Sequence, residues 1–275
     1  MNTKLDAFKK EVWNYYHAHG RHDMAWRKDT SPYAVAVSEI MLQQTQVSRV
    51  EVKFASWMKR FPTWRALADA PVKAVLQEWS GLGYNRRALF LKRAAEAVMT
   101  RRPAELPQTF EELCELPGIG PNTAGAILAY AFNKPQPFIE TNIRSTYIHF
   151  FFPKSRAKIS DSKLLPLIEK TVADPHIAAH AREWHWALMD YGSYIKSTHP
   201  NPSRKSAHHV QQSAFKGSNR ELRANILKFI LEKPATSAAI VKNFAAHPVR
   251  QIQKNIRDLE KEGFIRPNSD TYYIY

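Results

Sequence analysis

The sequence predicts an all-α body followed by a small C-terminal α+β unit of winged-helix layout. Three observations carry this. Apolar residues recur at helical spacing, as in Val72, Val75, Leu76 and Trp79, or Leu89, Leu91, Ala94, Ala95 and Val98. Helix breakers fall between such stretches. β-prone runs are confined to the last residues, Phe264–Arg266 and Thr271–Ile274. A length of 275 residues suits one large domain or two smaller ones, and 44% hydrophobic residues suffice for a core.

The breakers set the order of elements. Ser31-Pro32, Phe61-Pro62-Thr63, Ala70-Pro71, Gly81-Leu82-Gly83 and Leu116-Pro117-Gly118-Ile119-Gly120 are each followed by a new helical pattern. Thr30 and Thr63 are candidate N-caps. Residues 197–219 hold Pro200, Pro202, several Ser and His and few aliphatics, which predicts a linker or irregular loop. Then Arg220–Leu231 reads as a helix. Thr236-Ser237 caps a second, running to about Ala245. Pro248 suits the first turn of a third, reaching about Glu262 with Gly263 at C′. Pro267-Asn268-Ser269-Asp270 separates the two β-prone runs as a hairpin turn. In a winged helix, the second and third helices form the helix-turn-helix pair.

Charge and cysteine content exclude several classes. Forty Lys and Arg against 25 Asp and Glu give net +15, which favours a polyanionic partner, nucleic acid before an anionic membrane. Residues 201–275 hold 13 Lys and Arg against 6 Asp and Glu, +7 of that excess, and the remaining 200 residues hold +8. The single Cys114 excludes an intramolecular disulfide and any multi-cysteine zinc or iron–sulfur site. Met1–Lys10 is polar and predicts no signal peptide. No window approaches ~18 consecutive apolar residues, so no membrane span is expected. The expected compartment is a reducing cytoplasm or nucleoid.

Three stretches carry chemistry. In Leu116–Ala124, two glycines two apart permit a tight turn, and the following helix offers free N–H groups to an anion. With the flanking Leu-Pro and Thr-Ala-x-Ala-Ile it reads as a helix-hairpin-helix, which clamps a DNA phosphate without reading sequence. In Ser31–Val47, Glu39 sits inside a strongly apolar helical run. Desolvation should raise its pKa and make it a candidate general acid; a surface glutamate is the plainer alternative. In Phe138–Arg144, Glu140 and Asn142 stand between apolar residues ahead of a helix, as caps or as site residues.

Together these stretches resemble the helix-hairpin-helix (HhH-GPD) DNA glycosylase superfamily, specifically its MutY-like adenine glycosylase branch. Ala25-Trp26-Arg27, Phe61-Pro62-Thr63, Trp79–Tyr84, Arg87-Ala88 and Ala187–Gly192 extend the match from Trp26 to Gly192. The resemblance implies a two-domain fold. Residues 1–32 with 139–200 would form one domain and 33–138 a six-helix domain with the hairpin. Residues 201–219 would be a linker and 220–275 the winged-helix-like unit. It implies catalysis by Glu39, which protonates the leaving base and helps activate water. Glu140 stands at the catalytic aspartate's position, and Asn142 matches an active-site asparagine. Gln43 and Gln44 match residues that enter the base stack, and Tyr84 an aromatic that intercalates in the opposite strand. Leu116, Pro117, Gly118, Ile119 and Gly120 match the phosphate-binding hairpin, which in relatives also holds a monovalent cation.

The sequence departs from the family in four places. Glu140 replaces aspartate. Asn122 stands where bifunctional relatives carry the Schiff-base lysine, so no lyase activity is expected. The four-cysteine cluster is missing: Lys196 takes the first ligand position, Ser203 and Ser206 lie near later ones, and Trp184, Trp186 and Tyr194 could substitute by packing. His199, His208 and His209 fit no standard ligand spacing, so no metal is expected there. The family's 8-oxoguanine-recognising C-terminal domain is replaced by residues 220–275. The expectation is a monomeric, cofactor-free, monofunctional glycosylase acting on mismatched or damaged double-stranded DNA, with adenine the favoured base. A damaged or mispaired pyrimidine, an alkylated purine, or a catalytically silent DNA-binding role are the alternatives.

Overall fold

The computed structural model describes residues 2–211 and 214–275. The helical body is as expected, and the chain divides into two compact units, residues 1–40 with 106–211 and 41–105 with 212–275.

The first unit contains α1 (Asn2–His19), α2 (Ala25–Lys28), most of α3 (Pro32–Leu42), α8 (Phe110–Glu115), α9 (Pro121–Phe132), α10 (Thr141–Phe151), α11 (Asp161–Val172), α12 (Pro175–Ala179) and α13 (Ala181–Thr198). Trp184 of α13 is fully buried and packs on Phe8 and Trp13 of α1, with ring centroids 5.9 and 5.5 Å apart. α13 also runs against α10, where Gly192 makes the approach possible. A Cβ there would lie 2.4 Å from the Asn142 carbonyl oxygen, closer than any side chain permits. The cap of α3 is Ser31, whose hydroxyl accepts the Ala34 N–H at 3.4 Å, rather than the expected Thr30.

The second unit contains α4 (Val47–Arg60), α5 (Trp64–Ala68), α6 (Val72–Trp79), α7 (Arg86–Thr100), α14 (Asn219–Glu232), α15 (Ser237–Asn243) and α16 (Val249–Lys261). Short strands β1 (Ala235–Thr236), β2 (Ile265–Asn268) and β3 (Thr271–Ile274) make an antiparallel sheet in the order β1-β3-β2. Local signals hold well here. Thr63 and Thr236 cap α5 and α15 by accepting the N–H groups of Ala66 and Ala239, each at 3.1 Å. Gly263 closes α16 in the left-handed region at φ +84°. The hairpin turn is tighter than expected: Pro267 and Asn268 belong to β2, leaving Ser269 and Asp270 to turn.

The unit boundaries depart from the sequence reading in two ways. Residues 33–40 and 106–138 group with the first unit, where α9 packs against α13. The C-terminal segment groups with residues 41–105. Glu262 explains this: its carboxylate accepts Arg223 at 2.9 Å and pairs with Arg86 of α7 at 3.2 Å, and its carbonyl accepts Arg93 at 3.1 Å. The expected linker is also structured in part. Pro202–Lys205 forms a 3-10 turn against α10, with Pro202, Ser203 and Ser206 buried. Residues 212 and 213 of that linker lie outside the described residues.

Candidate active site

The first unit brings together Glu39, Glu140 and Asn142. Glu39 lies on α3 between buried Ser38 and Ile40. Glu140 is the N-cap of α10. Its Oε1 accepts the N–H groups of Asn142 at 2.5 Å and Ile143 at 2.8 Å. The extra methylene relative to aspartate is thus absorbed by folding the carboxylate back onto its own helix end. Asn142 Nδ2 donates to the other carboxylate oxygen at 3.4 Å. The cap reading of Glu140 therefore holds, and the same carboxylate acts on Glu39 through its charge.

Glu39 and Glu140 are both half-buried. Burial pushes the Glu39 carboxyl up to about 8, and the negative charge of Glu140 adds to the rise; Arg27 opposes it. Burial also raises Glu140, but it meets the Ile143 and Asn142 N–H groups and the charges of Lys196 and Arg144, all of which favour its anion. The environments separate the pair: Glu39 is the protonated acid at neutral pH, and Glu140 is the member equipped to be an anion.

A second layer was not legible in the sequence. Arg27 and Asp190 matched family pieces without a role. Here they form a buried bidentate pair at 2.7 and 2.9 Å, with Arg21 adding Nε at 2.6 Å. Burial works against the Asp190 anion, and the Arg27 hydrogen bonds and charge more than reverse this, holding it below the ordinary range. Arg27 also lies over Trp186, 5.3 Å from the ring centroid. This ties α2 to α13 and sets the cation that acts on Glu39.

The hairpin joins α8 to α9. Gly118 takes the left-handed conformation at φ +81°, whereas Gly120 is the α9 N-cap at φ −89° with open space where a Cβ would stand. Gly118 therefore makes the turn and Gly120 the close approach. Leu116 and Ile119 are buried, so their side chains anchor the hairpin rather than face a ligand; Gly120 and Asn122 are exposed. Pro121 at N1 lacks an N–H, and the Ala124 N–H donates to the Gly120 carbonyl at 2.9 Å.

In the second unit, Gln43, Gln44 and Tyr84 are united by Arg87. Its buried guanidinium donates to the carbonyls of Met41 (2.8 Å), Gln43 (2.6 Å) and Gly83 (2.9 Å) and to the Thr45 hydroxyl (2.9 Å). Gln44 and Tyr84 both have positive φ, +56° and +47°, a conformation L-residues adopt only when held. One arginine thus pins both turns. Burial lowers Arg87 to about 10, still a cation at neutral pH. Arg87→Ala is expected to destabilise the fold by at least ~3 kcal/mol, because it strands buried carbonyls. Urea denaturation measures this; an unchanged midpoint would refute it. Tyr84 is 39% exposed, and its hydroxyl is bonded to Arg220 of α14 at 3.1 Å.

Of the positions the resemblance aligns with cluster ligands, Ser203 and Ser206 are hydrogen-bonded within the protein. Ser203 Oγ lies 2.5 Å from Ser145 Oγ, and Ser206 Oγ accepts the His208 N–H at 3.0 Å. Trp184 packs in the interior and Trp186 is half-buried, whereas Tyr194 is an exposed residue stacked on Tyr15. Among the described residues no group of three His, Cys, Asp or Glu could hold a metal. Among them, too, no helix is long and apolar enough to cross a membrane.

A family model of the HhH-GPD superfamily base excision DNA repair proteins matches residues 37–187, from α3 through α13. The chain belongs to the HhH-GPD superfamily. Within it, similarity runs to the MutY-like branch. An adenine DNA glycosylase of Buchnera aphidicola (Schizaphis graminum) is 31% identical over 96% of this chain and 76% of its own length. That of Buchnera aphidicola (Baizongia pistaciae) is 35% identical over 69% of this chain; the chain spans about half of that relative, 53%. A thermostable thymine-DNA glycosylase shares the fold of the HhH-GPD chain with a TM-score of 0.62 at 20% identity, over 75% of this chain and 94% of its own.

Proposed function

We propose that the protein is a monofunctional DNA N-glycosylase that releases a mispaired adenine from duplex DNA. The observation that carries this is the Glu39–Glu140 pair, a buried acid raised to about 8 beside a carboxylate that accepts the Asn142 and Ile143 N–H groups. The adenine DNA glycosylases it resembles favour adenine as the base.

The steps follow from these residues. The hairpin around Gly120 holds a phosphate. Gln44 and Tyr84, each in a turn held by Arg87, enter a base stack. Glu39 gives its proton to a ring nitrogen of the base, which leaves with the pair of electrons of the C1′–N bond. Positive charge then develops on the sugar, and the Glu140 anion stabilises it. Water adds to C1′, and its proton returns to the Glu39 carboxylate, restoring both groups. Asn122 offers an amide in place of an amine, so no Schiff base forms there and the strand stays intact. The hairpin 116–120 has backbone carbonyls and no acidic side chain, a donor set that fits a monovalent cation as a structural ion.

Residues 219–275 are proposed to be a winged helix, with α15–α16 its helix-turn-helix and β2–β3 its wing. α16 buries Ile252, Ile256 and Leu259 and exposes Arg250, Lys254 and Arg257. Replacing those three cations by alanine is expected to lower the slope of log affinity against log salt by roughly 2. An unchanged slope would place the helix away from DNA. The protein is proposed to act as a monomer in the nucleoid.

The deciding experiment is single-turnover base release from oligonucleotides carrying A, U, T, hydroxymethyluracil or alkylated bases opposite each partner. Adenine release without strand scission is expected. Release of a pyrimidine or alkylated purine instead would reassign the substrate. No release from any of them, with binding intact, would leave a silent DNA-binding protein.

A further inference from the structure

Tyr130 plays no part in the steps above. Its ring is 4% exposed on α9, stacked on Trp186 at 6.0 Å and edge-on to Phe138 at 6.3 Å. Such an apolar slot would suit phenylalanine. The hydroxyl at its end is buried and has no hydrogen-bond partner. A buried hydroxyl in that state lowers stability, and native proteins keep few of them.

Its surroundings explain why it is there. Burial acts on the phenol first, followed by the charges of Glu39 and Glu140 and then those of Arg27 and Asp190. It therefore lies near both carboxyls and bonds to neither. A second orphan belongs to a hydrogen-bond partner of Glu140: Asn142 Oδ1 is buried without a partner, while its Nδ2 donates to Glu140. A donor and an acceptor, both desolvated and unspent beside two carboxyls, match the needs of one polar ligand atom.

We propose that the Tyr130 hydroxyl is a hydrogen-bond donor of the excision site, given to an acceptor atom enclosed with Glu39, Glu140 and Asn142. The inference rests on the glycosylase reading. The acceptor is the oxygen of the attacking water or a heteroatom of the extruded base. A water there accepts from Tyr130 and donates to Asn142 Oδ1 and the Glu140 carboxylate, which aims its lone pair. Burial and the carboxylates keep the phenol protonated, so it orients and does not exchange its proton.

Tyr130→Phe tests this with minimal change of shape. The single-turnover excision rate is expected to fall about tenfold or more, with duplex affinity unchanged and Tm equal or higher. A uniform fall across the bases identifies the water as acceptor; an altered order of base preference identifies the base. Wild-type rates on every base, or a clear drop in Tm showing the hydroxyl to be a structural partner, would overturn the proposal. Should the wild-type chain release no base, the glycosylase reading fails by itself. The tyrosine is then judged by affinity for a duplex bearing a cationic pyrrolidine abasic-site analogue. Weaker binding by the phenylalanine variant supports the assignment, and equal binding overturns it.

Discussion

Glu39→Gln is expected to slow base release by about 10²–10⁴-fold, the usual contribution of a positioned general acid, while duplex affinity stays within a few fold. The amide keeps the shape of the neutral carboxyl and its place between Ser38 and Ile40. It cannot give up a proton to the departing base. A variant with wild-type single-turnover rates would remove Glu39 from the chemistry. The pH profile gives a second measure. Glu39 must be protonated to act, and burial with the Glu140 charge pushes it up to about 8. The rate should therefore hold to about pH 8 and fall above it.

The same residue makes a stability prediction of opposite sign to the usual carboxylate. Its folded-state pKa is raised from 4.5 to about 8. Between those values the native state binds more protons than the unfolded chain, so stability falls as pH rises through the window and is level above it. At ~1.4 kcal/mol per unit the full span is on the order of 5 kcal/mol. Glu39→Gln deletes that slope. The variant should equal wild type near pH 4 and exceed it in Tm at pH 8. A less stable variant at pH 8 would mean that the ionised carboxylate is paired after all.

The desolvation of Glu39 was legible because the residue stands inside the strongly apolar run Val35–Leu42. Thr63, Thr236 and Gly263 were legible because caps and C′ glycines act over three or four residues. What escaped depends on partners distant in sequence. Arg87 reads as an ordinary first-turn arginine of α7 until the chain returns Met41 and Gln43 to it. Arg27 and Asp190 are separated by 163 positions, and no periodicity links them. Tyr130 reads as one more apolar residue of a buried helix; the orphaned hydroxyl is visible only once its neighbours are placed. Residues 201–206 were read as linker from Pro and Ser content, since their stability comes from hydroxyls of α10 and not from aliphatic burial. The grouping of α9 was hidden for a related reason: α9 is apolar on nearly every side, so its pattern does not choose between partners.

Glu140 joins two functions that substitution can separate. Glu140→Gln should retain much of the α10 cap, because the amide oxygen still accepts from Asn142 and Ile143, yet lose the anion. Excision is expected to fall about 10²–10³-fold, comparable with removing one electrostatic stabiliser of a charged transition state. Glu140→Ala should lose as much rate and, in addition, about 1 kcal/mol of stability with the cap. Glu140→Asp keeps charge and cap. Aspartate reaches the N2 and N3 amides without the folded methylene, so activity should stay within about tenfold of wild type. Its acid limb should move to lower pH if the shorter carboxylate sits deeper among the amides and the Lys196 and Arg144 charges that favour the anion. Single-turnover rates with parallel Tm measurements distinguish the three variants. If glutamine at 140 is as active as glutamate, the carboxylate is a cap alone and the sugar cation is stabilised elsewhere. If aspartate loses as much as glutamine, the site has been rebuilt around the longer side chain, and the Gly192 contact that seats the Asn142 backbone is where that adjustment would be sought.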